Sequence, residues 1–571
     1  MFFILINTQQ NKNRTSFKSK NLFFLDYFFH YMGNEFSNSE KQELVSRDII
    51  RFLMKNPNYP RHKITNLKGK LGKKYDLNNV IKNATILKYA NDEERKILIQ
   101  LLRRRKTRTS SGVSVIAIMT EPLPCPGECI YCPGSDSQPN EKVAQSYTGQ
   151  EPAALRSIHN HYDPFKQVES RINDLEAIGH QVDKIELIIM GGTFLSTERA
   201  YQRKFIKGAY EGVLGRKTNN LEEALDQSEK SQKRVIGLTV ETRPDYCKEN
   251  HVDLMLSYGV TRVEIGVQTV YDDIFKLVNR GHTTKDSKEA IRIARDAGLK
   301  INTHIMPNLP GSTIQKDLDL FNQLFSDPDY RPDMLKIYPC LVIKGTKLYE
   351  WWKENKFQPY SIEQLVDLLA TVKENLPPYV RIQRIMRDIP APLIEAGCDK
   401  SNLRQLVQER LTQKGTKCKC IRCREYGIGS QNTKYDNDKL NQFKLNRIDY
   451  NASEGKEIFL SFEREDLLLG YLRLRYPSEQ AHRPELSDGK TLIVREVRVV
   501  GEIVPTNSDP ERFTQVQHRG FGKMLMDEAE KISLEEFDAL KLNVISGIGA
   551  REWFYDLGYK VEGPYVSKKL A

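Results

Sequence analysis

Residues 113–134 read VSVIAIMTEPLPCPGECIYCPG, a short apolar run followed at once by three closely spaced cysteines. The run 113–119 is rich in β-branched residues and predicts a buried strand. The cysteines that follow it, Cys125, Cys129 and Cys132, have the spacing CxxxCxxC. The 571-residue chain contains 9 cysteines, six of them in two tight triplets, which indicates metal binding rather than a disulfide framework.

Outward from this strand, strand-like segments alternate with helical stretches as far as about residue 390. The further segments are KIELIIMGG, RVIGLTVETRP, RVEIGVQT, LKINTHIMP and MLKIYPCLV. Strands separated by helices predict parallel βαβ units, with the functional site at the carboxyl ends of the strands. The predicted fold class is therefore α/β, with a partial (β/α) barrel over residues 109–390.

The cysteine loop has the chemistry of an open iron-sulfur site. Three thiolates on one loop can bind three irons of a 4Fe-4S cluster and leave the fourth iron to S-adenosylmethionine (SAM). A structural zinc site would need four closed ligands, and His159 and His161 lie too far along the chain to be the obvious fourth. The sequence therefore predicts a radical SAM domain, with a structural metal site as the alternative.

Polar and glycine residues at later strand ends are candidates for holding SAM. Gly191, Gly192 and Thr193 follow the second strand, where glycine lets the main chain approach a ligand closely. In radical SAM enzymes the matching segment receives the methionine amino group. Glu241 and Gln268 end the next two strands and could bind the ribose or the substrate. A structural role at the barrel mouth is the alternative for both.

The C-terminal part has a different pattern. Residues 517–522, QHRGFG, fit the loop Q/R-x-x-G-x-G/A and precede the helical segment GKMLMDEAEKI. A helix N-terminus after glycines offers unpaired N–H groups and a positive dipole end to the pyrophosphate of coenzyme A. The preceding strand, REVRVV, would present its main chain to the pantetheine amides. We therefore expect an α+β GNAT acetyltransferase domain over residues 456–571.

Positive charge is concentrated near the N-terminus. The chain has a net charge of +12, and residues 61–108 contain 15 basic and 4 acidic residues. This predicts a basic helical region over residues 41–108 that binds nucleic acid, with a solvated helix face as the alternative. Residues 1–40 are predicted to be a poorly ordered tail, with Met32 as an alternative start. Without a signal peptide or a long apolar segment, we expect a cytoplasmic protein. The nucleic-acid candidates are Arg103, Arg104, Arg105, Lys106 and Arg108.

The second cysteine triplet lies in a predicted linker over residues 391–455. Cys418, Cys420 and Cys423 have the spacing CxCxxC. They predict a structural zinc site with Cys398 or a histidine as the fourth ligand. Free buried cysteines are the alternative.

One chain that joins these modules resembles the Elongator catalytic subunit family in its single-subunit archaeal or bacterial form. The similarity runs from about residue 108 to the C-terminus and includes RTSSGVSVIAIMTEP, QSYTGQEPAALRSI, NRGHTT and SGIGAREWFYDLGYKVEGPY. It implies a reaction on the wobble uridine of tRNA. In that reaction a 5′-deoxyadenosyl radical abstracts hydrogen from the acetyl group of acetyl-CoA, the acetyl radical adds to uracil C5, and thioester hydrolysis leaves 5-carboxymethyluridine.

The resemblance also assigns acetyl-CoA contacts. The family's tyrosine pair aligns with Trp553 and Phe554, and Tyr555 lies one position later, which puts in doubt a phenol that protonates a departing thiolate. Phe554 can still pack against acetyl-CoA. No residue is assigned a catalytic role. The implied acetyl-CoA residues are Lys184, Glu496, Val497, Arg498, Val499, Phe521, Gly522, Lys523 and Phe554.

Two other functions remain open at this point. The chain could be a protein lysine acetyltransferase with a structural iron-sulfur domain, or a tRNA-binding subunit with vestigial sites. The intact first triplet argues against vestigial sites, and the missing tyrosine weakens the lysine acetyltransferase. The expected partner is tRNA, with no membrane. Whether the chain is a monomer or a homodimer, whether it needs accessory subunits and which tRNAs it selects are left open.

Overall fold

The computed structural model describes residues 36–77, 79–102, 112–134, 143–426, 442–501 and 517–570. Two compact units are present, residues up to 105 with 174–180, and residues 106–173 with 181–571. The predictions for the first 35 residues, for Met32, and for Arg103, Arg104, Arg105, Lys106 and Arg108 lie outside the described residues. No helix in the described ranges is long and apolar enough to cross a membrane.

The N-terminal unit is a small helical bundle. Its first helix begins inside the predicted tail and has a capping box, in which Ser37 and Glu40 bond each other's main chain. Apolar residues at helical spacing, including Val45, Ile49 and Leu53, form the core of this unit. The helices are α1 (Asn38–Lys55), α2 (Ile64–Lys74), α3 (Asn83–Lys88) and α4 (Asp92–Leu102).

The larger unit begins with a half-barrel of seven parallel strands. The strands neighbour one another in the order β1-β2-β3-β4-β5-β6-β8, as repeated right-handed βαβ units require. They are β1 (Ser114–Met119), β2 (Lys184–Met190), β3 (Arg234–Thr242), β4 (Arg262–Gln268), β5 (Lys300–Ile305), β6 (Met334–Ile337) and β8 (Arg381–Ile385). A two-stranded sheet pairs β7 (Val342–Ile343) with β9 (Ile394–Ala396).

Helices connect these strands. Several begin at side-chain caps, for example at Thr283, Thr313 and Ser361, whose hydroxyls accept from main-chain N–H groups. The helices are α5 (Pro152–His159), α6 (Pro164–Ala177), α7 (Arg199–Leu214), α8 (Leu221–Glu229), α9 (Glu249–Ser257), α10 (Asp272–Leu277), α11 (Thr284–Asp296), α12 (Ile314–Ser326), α13 (Lys347–Lys353), α14 (Ile362–Glu374), α15 (Leu403–Gln413) and α16 (Ile421–Arg424).

The predicted α/β half-barrel is confirmed, including all six strand segments. The sequence did not predict β8, because its residues RIQRI include three polar side chains and lack the continuous apolar run of the other strands. Its Arg381 is buried and donates to Glu425 at 2.7 Å. A buried ion pair therefore takes the place of an apolar contact there.

A second seven-stranded sheet, mostly antiparallel, follows and has one long helix. The α+β pattern predicted for this part is also confirmed, although its edge strand β10 was missed because its side chains are mostly exposed. The elements are β10 (Lys444–Ala452), β11 (Gly455–Arg464), β12 (Leu467–Tyr476), β13 (Thr491–Val499), α17 (Phe521–Phe537), β14 (Lys541–Val544), α18 (Arg551–Tyr555), β15 (Lys560–Glu562) and β16 (Tyr565–Lys569).

Buried ion pairs join this sheet to the half-barrel. Arg495 of β13 is fully buried and makes a two-pronged pair with Asp333, with N–O distances of 2.7 and 2.8 Å. Arg475 of β12 reaches Asp296 at the end of α11 at 2.6 Å. Removing one partner of such a pair leaves an uncompensated buried charge. The pairs therefore fix the sheet and the half-barrel against each other within this unit.

Candidate active site

The first cysteine loop lies at the carboxyl end of β1. Main-chain bonds hold it in place, since Ile130 N–H donates to the Val278 carbonyl at 3.1 Å and the Ile130 carbonyl accepts from Leu348 at 2.9 Å. The Cys132 sulfur is 3.0 Å from the Ser146 hydroxyl. Cys125, Cys129 and Cys132 are all partly exposed, so a ligand can reach their sulfurs.

The spacing of the sulfurs separates the two triplets. Within the described ranges, the sulfurs of Cys418, Cys420 and Cys423 all lie within 4.8 Å of one another. The sulfurs of the first triplet do not meet this limit. One zinc ion with Zn–S bonds of about 2.3 Å would bring its sulfurs within about 4 Å of one another. Thiolates that each bind a different iron stand farther apart. The first triplet therefore fits a cluster, and the second fits a single ion.

The segment after β2 lies beside the cysteine loop. Gly191 has φ +108°, and a Cβ there would lie 2.6 Å from the Thr120 hydroxyl, so the position requires glycine. Gly192 is also left-handed, with φ +59°. The Thr193 hydroxyl lies 3.6 Å from the Cys125 sulfur. These three predicted SAM residues are therefore next to the cysteine loop.

The two polar strand-end residues face different environments. Gln268 has φ +67°, and its buried side-chain oxygen has no hydrogen-bond partner among the described residues, so it can accept from a ligand. The Glu241 carboxylate accepts from Lys336 at 3.1 Å and from the Tyr147 hydroxyl at 3.4 Å. Gln268 thus has free hydrogen-bonding capacity, whereas Glu241 also belongs to a network.

The network of Glu241 places several charged side chains in the half-barrel interior. The ligand atoms of Glu241, Glu264 and His304 all lie within 4.8 Å of one another, but the ammonium group of Lys336 pairs with both carboxylates. Burial alone would favour neutral Glu264, yet Lys336 and His304 hold the pKa of this carboxyl well below its usual range. A lysine therefore supplies the positive charge that a metal would otherwise bring. Lys336 was not predicted from the sequence, where its signal was a lysine inside an apolar strand.

The C-terminal loop has the geometry of an anion site. Gly520 has φ +85° and lies at the N-cap of α17, which has no side-chain cap. The first N–H groups of this 17-residue helix therefore have neither an intrahelical acceptor nor a side-chain acceptor at the N-cap. A Cβ at Gly522 would lie 3.3 Å from the Trp553 ring. Lys523 is exposed and pairs with Asp527 at 3.0 Å.

The strand beside this loop is open on one side. Strand β13 pairs with β12 as far as Val499, but β14 follows it only as far as the pair Val494 and Val544. None of the described strands continues beside 495–499 on the β14 side, and the Val499 carbonyl accepts from the Gln517 side chain at 3.5 Å. An extended chain of amides can bond to such an edge.

The predicted acetyl-CoA side chains do not all face this opening. Glu496 is buried and accepts from the Tyr471 hydroxyl at 3.0 Å and from Arg473 at 3.1 Å. Phe554 is buried in the core of the C-terminal sheet, and Trp553 lies against the loop instead. Val497, Arg498 and Val499 are half-buried and follow Glu496 on β13. Phe521 is buried, and its ring centroid lies 5.2 Å from that of Phe462.

Tyr555 cannot replace the absent tyrosine pair in this geometry. Its hydroxyl donates to Glu229 of α8 at 2.7 Å, and burial together with that carboxylate raises the pKa of Tyr555 to about 12. The same carboxylate also pairs with Arg551. The phenol is therefore committed to a contact with the half-barrel.

The two loops lie at opposite ends of the half-barrel strands. Lys184, the first residue of β2, donates to the Gln517 side-chain oxygen at 3.1 Å. Thr193, beyond the last residue of the same strand, approaches Cys125. Seven residues of strand span about 20 Å. The loop 517–522 and the cysteine loop are thus about one strand length apart.

The second cysteine triplet is largely buried, and Cys420 is fully so. Neither Cys398 nor any described histidine belongs to the group within 4.8 Å.

In the N-terminal unit, Lys68 is buried and donates to Asn83 at 2.8 Å, so this basic residue is structural. The exposed basic residues of this unit include Arg61, Lys63, Lys70, Lys73, Lys74, Lys82 and Lys88.

A parallel half-barrel with a three-cysteine loop after its first strand defines a radical SAM protein, which uses SAM and a 4Fe-4S cluster. Residues 124–324 match the Radical SAM superfamily, residues 332–413 the Radical SAM C-terminal domain, and residues 42–110 the ELP3 N-terminal domain. Relatives that match most of the chain identify one family within this superfamily. The chain belongs to the Elongator complex protein 3 family, which confirms the resemblance seen in the sequence.

Three relatives illustrate the match. The chain is 48% identical to the tRNA uridine(34) acetyltransferase of Methanocaldococcus infernus, over 86% of this chain and 91% of the relative. It is 43% identical to Elongator complex protein 3 of Drosophila melanogaster, over 94% and 98% of the two chains. The solved structure of Methanocaldococcus infernus Elp3 with an N-terminal deletion superposes with a TM-score of 0.70 at 42% identity, covering 81% of this chain and all of that one.

Proposed function

We propose that this chain is an enzyme that converts the wobble uridine of tRNA to 5-carboxymethyluridine, with acetyl-CoA as the carbon source. One observation carries the proposal: the cysteine loop and the coenzyme A loop belong to one compact unit and lie at the two ends of one strand, β2. The names of the relatives, which specify tRNA uridine(34), support tRNA as the substrate.

Each end of the half-barrel has its own task. When bound, the cluster and SAM supply a one-electron cleavage that yields a 5′-deoxyadenosyl radical. Cys125, Cys129 and Cys132 would hold the cluster. The SAM contacts would be Gly191, Gly192, Thr193, Glu241 and Gln268. The buried side chains that fill the half-barrel interior would keep bulk water away from the radical.

Acetyl-CoA would bind in the notch beside β13. Main-chain groups of Val497, Arg498 and Val499 would bond the pantetheine amides, and the first N–H groups of α17, with Phe521, Gly522 and Lys523, would receive the pyrophosphate. Lys184, whose pKa is lowered by burial, would lie beside this loop through its contact with Gln517. Glu496 and Phe554 would support this site from within, since both are buried in the sheet.

A structural zinc ion is proposed for Cys418, Cys420 and Cys423. The buried group of three sulfurs within 4.8 Å supports it. The fourth ligand would be a water or a residue outside the described ranges. Such an ion would connect the loop before α16 to Cys423 within that helix.

The exposed basic residues of the N-terminal unit support tRNA binding, together with the predicted contacts at Arg103, Arg104, Arg105, Lys106 and Arg108.

We place the enzyme in the cytoplasm, as a monomer or a homodimer, with or without accessory subunits. The lysine acetyltransferase alternative is not favoured, because the hydroxyl of Tyr555, the tyrosine of α18, donates to Glu229.

The function can be tested in cells that lack this gene. Mass spectrometry of their tRNA nucleosides should show unmodified wobble uridine, and the wild-type gene should restore the carboxymethyl derivative. A gene encoding Cys129→Ala should fail to restore it. An unchanged nucleoside profile in the deletion strain would contradict the proposal.

A further inference from the structure

Two buried arginines approach the cysteine loop from the half-barrel. Arg280 follows α10 and is only 8% exposed. One terminal nitrogen donates to the Gly266 carbonyl at 2.8 Å, and the other lies 3.4 Å from the Cys129 sulfur. A main-chain anchor thus directs a guanidinium group at one cysteine.

Arg243 approaches the same loop from the end of β3. It is 5% exposed, and Nε and Nη2 each donate to Asp245 at 2.9 Å. The remaining nitrogen, Nη1, is buried without a hydrogen-bond partner among the described residues. A Cβ at Gly127 would lie 1.9 Å from this nitrogen and 3.8 Å from the Cys129 sulfur. Glycine at position 127 is therefore what allows the guanidinium group to reach the loop.

We propose that Arg243 and Arg280 are positioning residues for the iron-sulfur cluster, which stabilise its reduced form and raise its reduction potential. The inference rests on the cluster site of the proposed function. Reduction adds one negative charge to the cluster and its thiolates. A fixed positive charge or N–H donor beside the sulfurs favours that more negative state, and its effect is large where water is excluded.

The surroundings leave this positive charge available. No carboxylate of the described residues forms an ion pair with Arg280, and the partner of Arg243, Asp245, is partly exposed to solvent. His282 lies close to both arginines. Burial, followed by Arg280 and Arg243, lowers the pKa of His282 to about 2, so the ring stays neutral. The two guanidinium groups are therefore the positive charges directed at Cys129.

The test is a redox titration of the anaerobically reconstituted full chain. Dithionite would set the potential, and electron paramagnetic resonance would report the reduced cluster. Arg280→Met and Arg243→Met should each make the midpoint more negative by an amount equal to at least a tenfold change in the reduction equilibrium, about 59 mV for one electron. Gly127→Ala should cause a similar shift while keeping both arginines, because the new methyl group displaces Arg243.

Lys276→Met is the matched control. It removes one positive charge from an exposed position of α10, and its midpoint should equal that of the wild type, since solvent screens that position. If a Met variant fails to retain a cluster, Arg280→Gln takes its place, because glutamine keeps a donor and removes the charge. Unchanged midpoints in cluster-containing variants would overturn the inference. A wild-type chain that binds no cluster would instead overturn the proposed function.

Discussion

The Lys184 ammonium group lies 3.1 Å from the Gln517 side-chain oxygen, although 333 residues separate the two in sequence. Gln517 also donates to the Gly112 carbonyl at 3.3 Å, before the start of β1. The loop 517–522, which we propose binds coenzyme A, is therefore attached to the amino ends of the first two half-barrel strands. The cysteine loop lies at the carboxyl ends of the same strands, so the two proposed cofactor sites lie at opposite ends of the half-barrel.

Two cysteine variants should lose different metals. In Cys129→Ala, the reconstituted protein should lose most of its iron and its cluster absorbance, since three thiolates are needed to hold three irons. Its zinc content should remain near one ion per chain. In Cys420→Ala, zinc should be lost and iron retained.

Elemental analysis together with visible absorbance measures both outcomes, and each variant is the control for the other. A full cluster in Cys129→Ala would contradict the cluster assignment. Zinc-free wild-type protein, purified without chelators, would leave the second triplet as free buried cysteines.

The pyrophosphate site is tested by Gly522→Glu. The carboxylate would lie at the N-terminus of α17, where the anion is proposed to bind, and its first carbon would press on Trp553. Calorimetry should show acetyl-CoA affinity reduced at least tenfold, about 1.4 kcal/mol. Leu534→Glu, an exposed position near the other end of the same helix, should bind normally. Equal affinities for the two variants would place acetyl-CoA elsewhere.

Much of this architecture follows from sequence patterns. The apolar strands and the helices between them predict a parallel half-barrel, because strands that are buried on both faces of a sheet have continuous apolar sequences. The same rule misses β8 and β10, where buried ion pairs or solvent exposure replace apolar contacts. Strand order could be inferred from repeated βαβ connections, but the ion pair between Arg495 and Asp333 could not.

The site residues also fall into those that local sequence predicted and those that it did not. Local spacing was sufficient to place Thr193 beside Cys125, because both follow adjacent strands. Contacts formed by distant segments had no local signal, which is why Arg243 and Arg280 were not predicted. The assignment of Glu496 and Phe554 to direct acetyl-CoA contact came from resemblance alone, and their burial gives them supporting positions.

The ion pair of Asp333 predicts a specific pH dependence. Burial opposes its ionisation, but Arg495 and Arg473 hold the pKa of Asp333 well below the ordinary value of about 4. A depressed carboxyl pKa contributes stability above the unfolded-state pKa and loses it as the pH falls through the folded-state pKa. Wild-type stability should therefore decrease below about pH 4, and Asp333→Asn should lack part of this decrease.

At neutral pH, Asp333→Asn should destabilise the protein by about 3–5 kcal/mol, because two buried guanidinium groups lose a charged partner. Urea midpoints measure the change. The control is Asp367→Asn, which breaks an exposed pair with Arg410 and should cost about 1 kcal/mol or less. Equal midpoints for wild type and Asp333→Asn would show that the pair does not join the two sheets.

The basic N-terminal region is tested by salt dependence. If it neutralises phosphates, tRNA affinity should fall with a log–log slope of about −0.7 to −0.9 per phosphate contact. Changing Arg103, Arg104 and Arg105 to Glu should weaken binding to all tRNAs and flatten this slope. A control that changes the exposed residues Arg216, Lys230 and Lys531 to Glu makes the same change in net charge elsewhere. Filter binding from about 50 to 300 mM salt that gives equal slopes for all three proteins would remove this role.

The central claim is that acetyl carbon reaches uracil in a SAM-dependent reaction. The reconstituted enzyme should be incubated with carbon-13 acetyl-CoA, SAM, dithionite and unmodified tRNA, and the tRNA nucleosides analysed by mass spectrometry. We expect both labelled carbons in 5-carboxymethyluridine, only when SAM is present and not with Cys129→Ala. Label found in acetyllysine of added protein, with none in uridine, would contradict the account.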